Sequence, residues 1–439
     1  MTVVTRFAPS PTGRLHVGNI RTALHNWLLA KKAGGKFLLR IDDTDAARSE
    51  ERFVEAIRED LACLGLSYDG EERQSARLAL YEDAFERLKA AGRVYPCFET
   101  AQELELKRKV ALGRGLPPTY DRAALKLTDA ERAAQTTAPH WRFKLDHDAA
   151  IEWLDGIRGP QHFEPAQMSD PVVRRADGSW LYMLPSTVDD IDMGVTDVLR
   201  GEDHVSNTAV QIQMFAALGQ SVPRFAHEAL LVGSEGKLSK RLGSLGADAF
   251  REQGIEPEAI VALLARLGTS EPVEPIAERE RLIASFELAH FGRAPAHFDE
   301  AELARLNAAI VHQLPFEHVA ARLPEGVGRE AWDAIRPNLE KVSDAADWWT
   351  VVTGPIAVAT FEDEDRAYLG EAARALTWSD DPWGALTAAL KESTGRKGKA
   401  LFHPLRLALT GRESGPDMHS LLPLIGEAEA RRRLEAAAG

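Results

Sequence analysis

The strongest constraint on how this chain folds lies between Val3 and Ile41. Val3, Val4, Thr5 and Phe7 make a short β-branched and apolar run that reads as a buried strand. Pro9, Pro11 and Gly13 cannot extend it, because proline lacks a ladder donor and glycine frees the backbone. Beyond Gly18 the apolar residues fall at Ile20, Ala23, Leu24, Trp27 and Leu28, the stripe of a helix packed on one face. Lys36 to Ile41, KFLLRI, is a second strand. Strand, loop, helix, strand at this spacing is the βαβ unit of a parallel sheet. Its ligand site lies where the carboxyl end of the first strand meets the helix N-terminus, and His16, Val17, Gly18 and Asn19 occupy that loop.

Further along, Phe53, Ile57, Leu61 and Leu64 predict a second crossover helix over 50–65, and Leu80, Phe85 and Leu88 predict a third over 77–91 with those side chains inward. The pattern then changes. Charged residues crowd Glu103 to Lys109, Pro117 and Pro118 interrupt, and a weak strand signal appears at Trp141 to Leu145. Residues 80–175 therefore read as an insertion with its own α/β packing. Parallel-sheet signals resume at Val172 and Val173, followed by a buried strand at Gly194 to Arg200, a helix carrying Ile212, Phe215 and Leu218, and a strand region from Phe225 to Val232. From about Asp248 the pattern is helical, with stripes at Val261/Leu264/Leu267, Leu303/Leu306/Ile310 and Trp332/Ile335/Leu339, the last crossed by Pro337. The expected fold is α/β: a Rossmann-like parallel-sheet catalytic domain over 1–79 and 176–240, an α/β insertion over 80–175, then all-α domains over 241–315 and 316–439.

Composition narrows the setting more than the function. The chain has 439 residues, a net charge of -14 and two cysteines, Cys63 and Cys97. No apolar run approaches the roughly 20 residues that span a bilayer, and the N-terminus lacks the features of a signal peptide. Two cysteines offer no disulfide framework, which fits a cytoplasmic protein. The acidic balance argues against binding nucleic acid by bulk attraction and leaves room for a local basic face.

Two loops carry the chemistry. A loop running into a helix N-terminus presents free N–H groups and a positive dipole end, the natural seat of a phosphate. There Gly18 permits close approach and His16 can donate to a phosphate oxygen; on H-x-G alone, a turn glycine and a loop histidine are the better explanation of the pattern. The second loop is KLSKR at Lys237 to Arg241, bracketed by Gly233, Gly236 and Gly243. Two lysines three apart can reach over a bound triphosphate as mobile charges. The pair resembles the HIGH-like and KMSKS-like signatures of class I aminoacyl-tRNA synthetases. TRFAPSPTGRLHVGNIRTAL, LLRIDDTD, VDDIDMGVTDVLRGEDH and LFHPLRLALTG, in that order along the chain, are similar to the glutamyl-tRNA synthetases, and the resemblance covers the whole chain.

The resemblance implies an ATP-dependent ligase that joins glutamate to the 3' end of tRNA through a glutamyl-adenylate. It implies ATP contacts from His16, Gly18, Asp203, Leu230, Leu231 and Lys240, with His16, Lys237 and Lys240 meeting the charge that develops on the triphosphate and Mg²⁺ bound chiefly by phosphate oxygens. Glutamate contacts would come from Arg6, Ser10, Asp42, Tyr182, Ser186 and Arg200, with Arg200 on the side-chain carboxylate and Asp42 on the α-amino group. An arginine at position 200 favours glutamate over glutamine, since a neutral amide would leave a buried guanidinium unpaired. Arg48 and the insertion would grip the acceptor end. Arg396, Lys397 and Lys399 form a basic cluster suited to tRNA phosphates, and Arg431 to Arg433 read as exposed helix surface. The chain departs from the family pattern in three places. Asp42 stands where Glu is usual and Ser186 where Asn is commoner, and the Cys97-Phe98-Glu99 segment with Tyr120 cannot complete a four-ligand zinc site. No structural zinc is expected, with Cys97 a small buried apolar residue. A monomer acting in the cytoplasm, with no membrane contact, completes the expectation. A small-molecule adenylyltransferase shares the first loop but has no need of so long a helical tail.

Overall fold

Three strands near the N-terminus pair in parallel, as the alternation from Val3 to Ile41 requires. In the computed structural model, which describes residues 2–233, 245–357 and 359–439, β1 (Val4–Phe7), α1 (Val17–Lys32) and β2 (Lys36–Ile41) form the first crossover. α2 (Glu51–Cys63) leads to β3 (Gly70–Arg73), giving the order β1-β2-β3 with Val4 opposite Lys36 and Leu38 opposite Gly70. α1 buries Ile20, Ala23, Leu24 and Leu28 as its periodicity demands. It also buries Asn26, whose Nδ2 donates to the Leu199 carbonyl at 2.9 Å and whose carbonyl accepts from Thr5 Oγ1 at 2.9 Å.

A further stretch of the chain follows α3 (Leu78–Ala90). It contains β4 (Val94–Cys97), α4 (Ala101–Gly113), α5 (Asp129–Ala133), β5 (His140–Phe143), β6 (Ile151–Asp155), β7 (Gly159–Phe163) and β8 (Val172–Arg174). Here two expectations need correcting. Val172 and Val173 do not resume the parallel sheet: β8 pairs antiparallel with β5 in the order β4-β5-β8. Consecutive valines fit a strand in either sheet, so only pairing decides. On α3 the inward face is Tyr81, Ala84, Phe85 and Leu88, whereas Leu80 is exposed; it precedes Tyr81 by one residue, about 100° round the helix from that stripe.

After β8 come α6 (Met183–Asp192), β9 (Asp197–Gly201), α7 (Val205–Ala217) and β10 (Arg224–Glu228). β9 and β10 pair in parallel, and their lead-in is tied to β1, where Thr196 N–H donates to the Val4 carbonyl (2.9 Å) and Val4 N–H to Thr196 Oγ1 (2.8 Å). β1 therefore has β2 on one side and the β9 segment on the other, and its carboxyl end is the point where the sheet order reverses. The single strand expected over Phe225 to Val232 is two, since β11 (Leu231–Gly233) leaves β10 to pair in parallel with β12 (Ala296–Phe298). That last strand lies in a stretch read as helical; exposed His297 between buried Ala296 and Phe298 is too short an alternation to register as a strand.

The chain divides into two compact units, Met1–Phe250 with Val261–Asp299, and Arg251–Ile260 with Glu300–Gly439. The second is helical. Leu303, Leu306 and Ile310 are buried in it, as are Trp332, Ile335 and Leu339, and Trp332 Nε1 donates to the Leu314 carbonyl at 2.9 Å. The helix Arg329–Ile335 stops before Pro337 and tightens into a 3₁₀ turn over Arg336–Asn338. Arg433 is a correction: it is buried, not helix surface, because its guanidinium closes carbonyls of Leu409 (2.7 Å), Val352 (3.3 Å) and Gly354 (3.0 Å) at the ends of two other helices. Among the described residues no helix is long and apolar enough to cross a membrane.

Candidate active site

The carboxyl end of β1 opens into a cavity of about 780 Å³. Its wall includes Arg6, Ser10, His16, Gly18, Asp42, Tyr182, Arg200, Asp203, Leu230 and Leu231, so ten positions singled out from sequence converge on one crevice. Lys237 and Lys240 lie outside the described residues. Leu245 and Gly246, just beyond that gap, pack on the first loop. Val17 N–H donates to the Leu245 carbonyl (2.9 Å), and a Cβ at Gly246 would sit 2.4 Å from the Leu15 carbonyl oxygen, so only glycine fits there.

The helix N-terminus is built differently from the sequence expectation. His16 is the N-cap of α1, and its Nδ1 accepts from the N–H groups of Gly18 (3.1 Å) and Asn19 (3.4 Å). Val17 N–H goes to Leu245 and Ile20 N–H to the His16 carbonyl (3.0 Å). All four leading amides are thus satisfied within the protein, and the Gly18 amide is not free for a phosphate. Burial pushes the His16 pKa below the ordinary histidine range. A neutral ring that accepts at Nδ1 carries its proton on Nε2. The cap therefore fixes His16 as an Nε2–H donor on the cavity wall.

At one end of the cavity every charge is matched. Arg40 is fully buried; its Nε and Nη2 fork onto Asp42 (2.6 and 3.1 Å), Nη1 donates to Asp190 (2.8 Å), and Nη2 and Nη1 reach Ser186 Oγ (3.2 Å) and its carbonyl (3.3 Å). Asp190 also takes the Arg6 Nε–H at 3.0 Å. Burial works against the Asp190 carboxylate, and Arg6 and Arg40 outweigh it, holding its pKa below the ordinary range. Ser186 does not line the cavity: it lies behind Arg40, because the short side chain ends at that guanidinium. Arg40 and Asp190 went unnamed in the sequence reading. Both sit inside motifs it quoted, LLRIDDTD and VDDID, but nothing in a lone sequence says which arginine is buried.

The other end is unbalanced. Arg200 is buried, and all its partners are neutral: Nη1 donates to Tyr182 Oη (2.9 Å), Nη2 to Thr208 Oγ1 (2.6 Å) and Gln211 Oε1 (2.7 Å), and Nε to His227 Nε2 (3.3 Å). Among the described residues no carboxylate is within ion-pair distance of it. Burial lowers its pKa from the ordinary arginine value. A buried guanidinium without a counter-ion is costly unless a ligand supplies one.

The remaining site candidates lie elsewhere. Arg48 is exposed and paired with Asp45 (2.7 Å). Lys397 and Lys399 are exposed, whereas Arg396 bonds to Asp365 (2.5 Å) and Glu364 (2.9 Å) and lies 4.3 Å from the Tyr368 ring centre. Arg396 thus departs from its expected role facing phosphates, since its fork already has two carboxylates. Cys97 is fully buried; burial raises its thiol pKa to about 11, and Tyr120 Oη approaches Sγ at 3.6 Å while donating to Glu99 at 2.8 Å.

A parallel α/β sheet with a charged cavity at its reversal point is the arrangement in which open α/β folds bind ligands. Residues 2–305 match the family described as tRNA synthetases class I (E and Q), catalytic domain, and 316–438 match an anticodon binding domain. The chain belongs to that class I synthetase family. It is 73% identical over 444 residues to glutamate–tRNA ligase 2 of Erythrobacter litoralis, covering 99% of this chain and 98% of the relative. It is 70% identical over 442 residues to glutamate–tRNA ligase 1 of Novosphingobium aromaticivorans, covering 99% and 100%. A crystal structure of a glutamate tRNA ligase from Elizabethkingia meningosepticum in complex with its amino acid superposes with a TM-score of 0.85 at 27% identity, covering 100% of this chain and 99% of that one.

Proposed function

We propose that this chain is a glutamate–tRNA ligase that activates glutamate with ATP and transfers it to the 3' end of tRNA. The observation that carries the choice of amino acid is Arg200, a buried cation whose partners among the described residues are all neutral. A substrate with a second carboxylate completes it; glutamine leaves it unpaired, at a discrimination of order 10⁴ for a site built around a polar group.

In this reading the side-chain carboxylate meets Arg200 and Tyr182, with Arg6 and Ser10 alongside, and the α-ammonium meets Asp42. Asp42 is already forked onto Arg40, so the amine shares a carboxylate held from behind. The α-carboxylate oxygen attacks the α-phosphorus of ATP, and the bond to the bridging oxygen breaks to release pyrophosphate. The terminal ribose hydroxyl of tRNA then attacks the acyl carbon and AMP leaves. No protein nucleophile is required; positioning and preorganised donors lower the barrier. His16 Nε2–H is one such donor, Lys237 and Lys240 are the proposed cations opposite, and Asp203, Gly18, Leu230 and Leu231 line the adenosine side. Mg²⁺ entering with ATP would be held chiefly by phosphate oxygens and would offset their charge. Residues 80–175 and Arg48 hold the acceptor end, 241–315 the stem, and 316–439 the anticodon, with Lys397 and Lys399 on phosphates. The enzyme works as a cytoplasmic monomer without structural zinc.

Charging of purified tRNA with ATP and each of glutamate, glutamine and aspartate tests the reading. Glutamate alone is expected to be esterified; equal use of glutamine overturns the role given to Arg200.

A further inference from the structure

Behind Arg200 lies a buried chain of polar groups that reaches into the insertion. Asp155, the last residue of β6, and His227 on β10 are both fully buried. His227 Nδ1–H donates to Asp155 Oδ2 at 2.5 Å, and Trp153 Nε1 reaches the same oxygen at 3.4 Å. The other carboxylate oxygen accepts three backbone amides, those of His227 (3.1 Å), Ile157 (3.1 Å) and Arg158 (2.9 Å). With its proton on Nδ1, His227 presents Nε2 as an acceptor, and it meets Arg200 Nε–H (3.3 Å) and Thr208 Oγ1 (2.8 Å).

We infer that Asp155 and His227 are positioning residues for the amino-acid carboxylate, setting the imidazole tautomer that fixes Arg200 in register with the ligand. A guanidinium has five N–H donors. Nε goes to His227, both Nη2 hydrogens to Thr208 and Gln211, and one Nη1 hydrogen to Tyr182. The second Nη1 hydrogen remains for the substrate. If His227 Nε2 carried the proton, two donors would face each other, and Arg200 would turn and lose that geometry. Burial and the nearby Arg200 charge both hold the His227 pKa low, so the ring stays neutral despite Asp155. The inference rests on the reading of Arg200 given above and adds two residues from outside the cavity wall, one of them contributed by the insertion.

Asp155→Asn gives a sharp test. The three backbone amides pin the amide oxygen of the asparagine, leaving its NH₂ toward His227 Nδ1, so the ring must move its proton to Nε2. The KM for glutamate is expected to rise roughly ten- to a hundredfold, the worth of one hydrogen bond to a charged group, while the KM for ATP stays within about twofold. His227→Gln, whose amide oxygen can take the place of Nε2, should keep a lower glutamate KM than His227→Leu. Asp155→Asn added to His227→Gln should cost little more, since the two act through one contact. Thermal unfolding of each variant separates loss of fold from loss of register. An unchanged glutamate KM in Asp155→Asn, or glutamate and ATP constants rising together, overturns the inference. Should Asp155→Asn not fold, equal glutamate constants for His227→Gln and His227→Leu overturn it. If the unaltered enzyme shows no glutamate-dependent charging, the proposed function fails first; normal charging with unaffected variants removes only the positioning role.

Discussion

The two ends of the cavity hold the same kind of side chain in opposite circumstances. Arg6 and Arg40 share Asp190, and Arg40 also pairs with Asp42 and lies 3.7 Å from Asp189, all of them buried. Arg200 is equally buried, and its hydrogen-bond partners among the described residues are hydroxyl, amide and imidazole groups. At the balanced end the guanidinium groups already have carboxylate partners, although burial still holds the Asp42 carboxyl above the ordinary range. The unbalanced end is where a ligand's charge lowers the energy most. Burial alone therefore does not mark an arginine as a binding residue; the missing counter-ion does.

Changes at the two ends should fail in different ways. The largest effect is expected at the unbalanced end: Arg200→Gln should lower kcat/KM for glutamate by on the order of 10³ to 10⁴ with little change in unfolding free energy, measured by tRNA charging and urea titration. A comparable loss of stability would show that Arg200 is architecture like Arg40. At the balanced end Asp190→Asn should cost about 3 kcal/mol of stability, because two buried guanidinium groups lose their shared anion. A midpoint in urea equal to that of the unaltered protein would break the contrast.

A third carboxylate sharpens the point through pH. Glu228 is buried on the cavity wall; burial opposes its charge, but Arg21 and His25 outweigh that and hold its pKa at about 2. A depressed carboxylate contributes stability that is fully present above its unfolded pKa, near 4.3, and is lost as pH falls through that value toward 2. Glu228→Gln should therefore remove about 3 kcal/mol at pH 7 and flatten the acid limb of stability between pH 5 and 2. An acid limb as steep as in the unaltered protein would refute this account.

The smallest effects belong to the exposed charges. Lys397→Ala with Lys399→Ala should raise the KM for tRNA a few fold and reduce the salt dependence of binding by about two charges. Arg396→Ala should leave that slope unchanged and lower stability instead, because Arg396 is committed to Asp365 and Glu364. If Arg396→Ala moved the salt slope as much as the lysines do, it would belong with them.

Local order determined much of this. The first βαβ unit follows from β-branched spacing, proline exclusion and a helical stripe, each acting within a few residues, and its strand and helix spans agree closely with the observed ones. Ten of the residues named from the sequence line one cavity, and most of these were named through the resemblance to the glutamyl-tRNA synthetases, with local pattern locating the loop that holds His16 and Gly18. Tertiary structure decided pairing and charge balance. Val172 and Val173 suit any strand until β5 arrives beside them. Ser186 looked like a cavity residue until Arg40 filled the space in front of it. Whether Arg200 has a counter-ion, and whether Asp155 reaches His227 across 72 positions of chain, depends on which side chains a fold brings within about 3 Å. Hydrogen bonds act only at that range, and separation along the chain does not encode it.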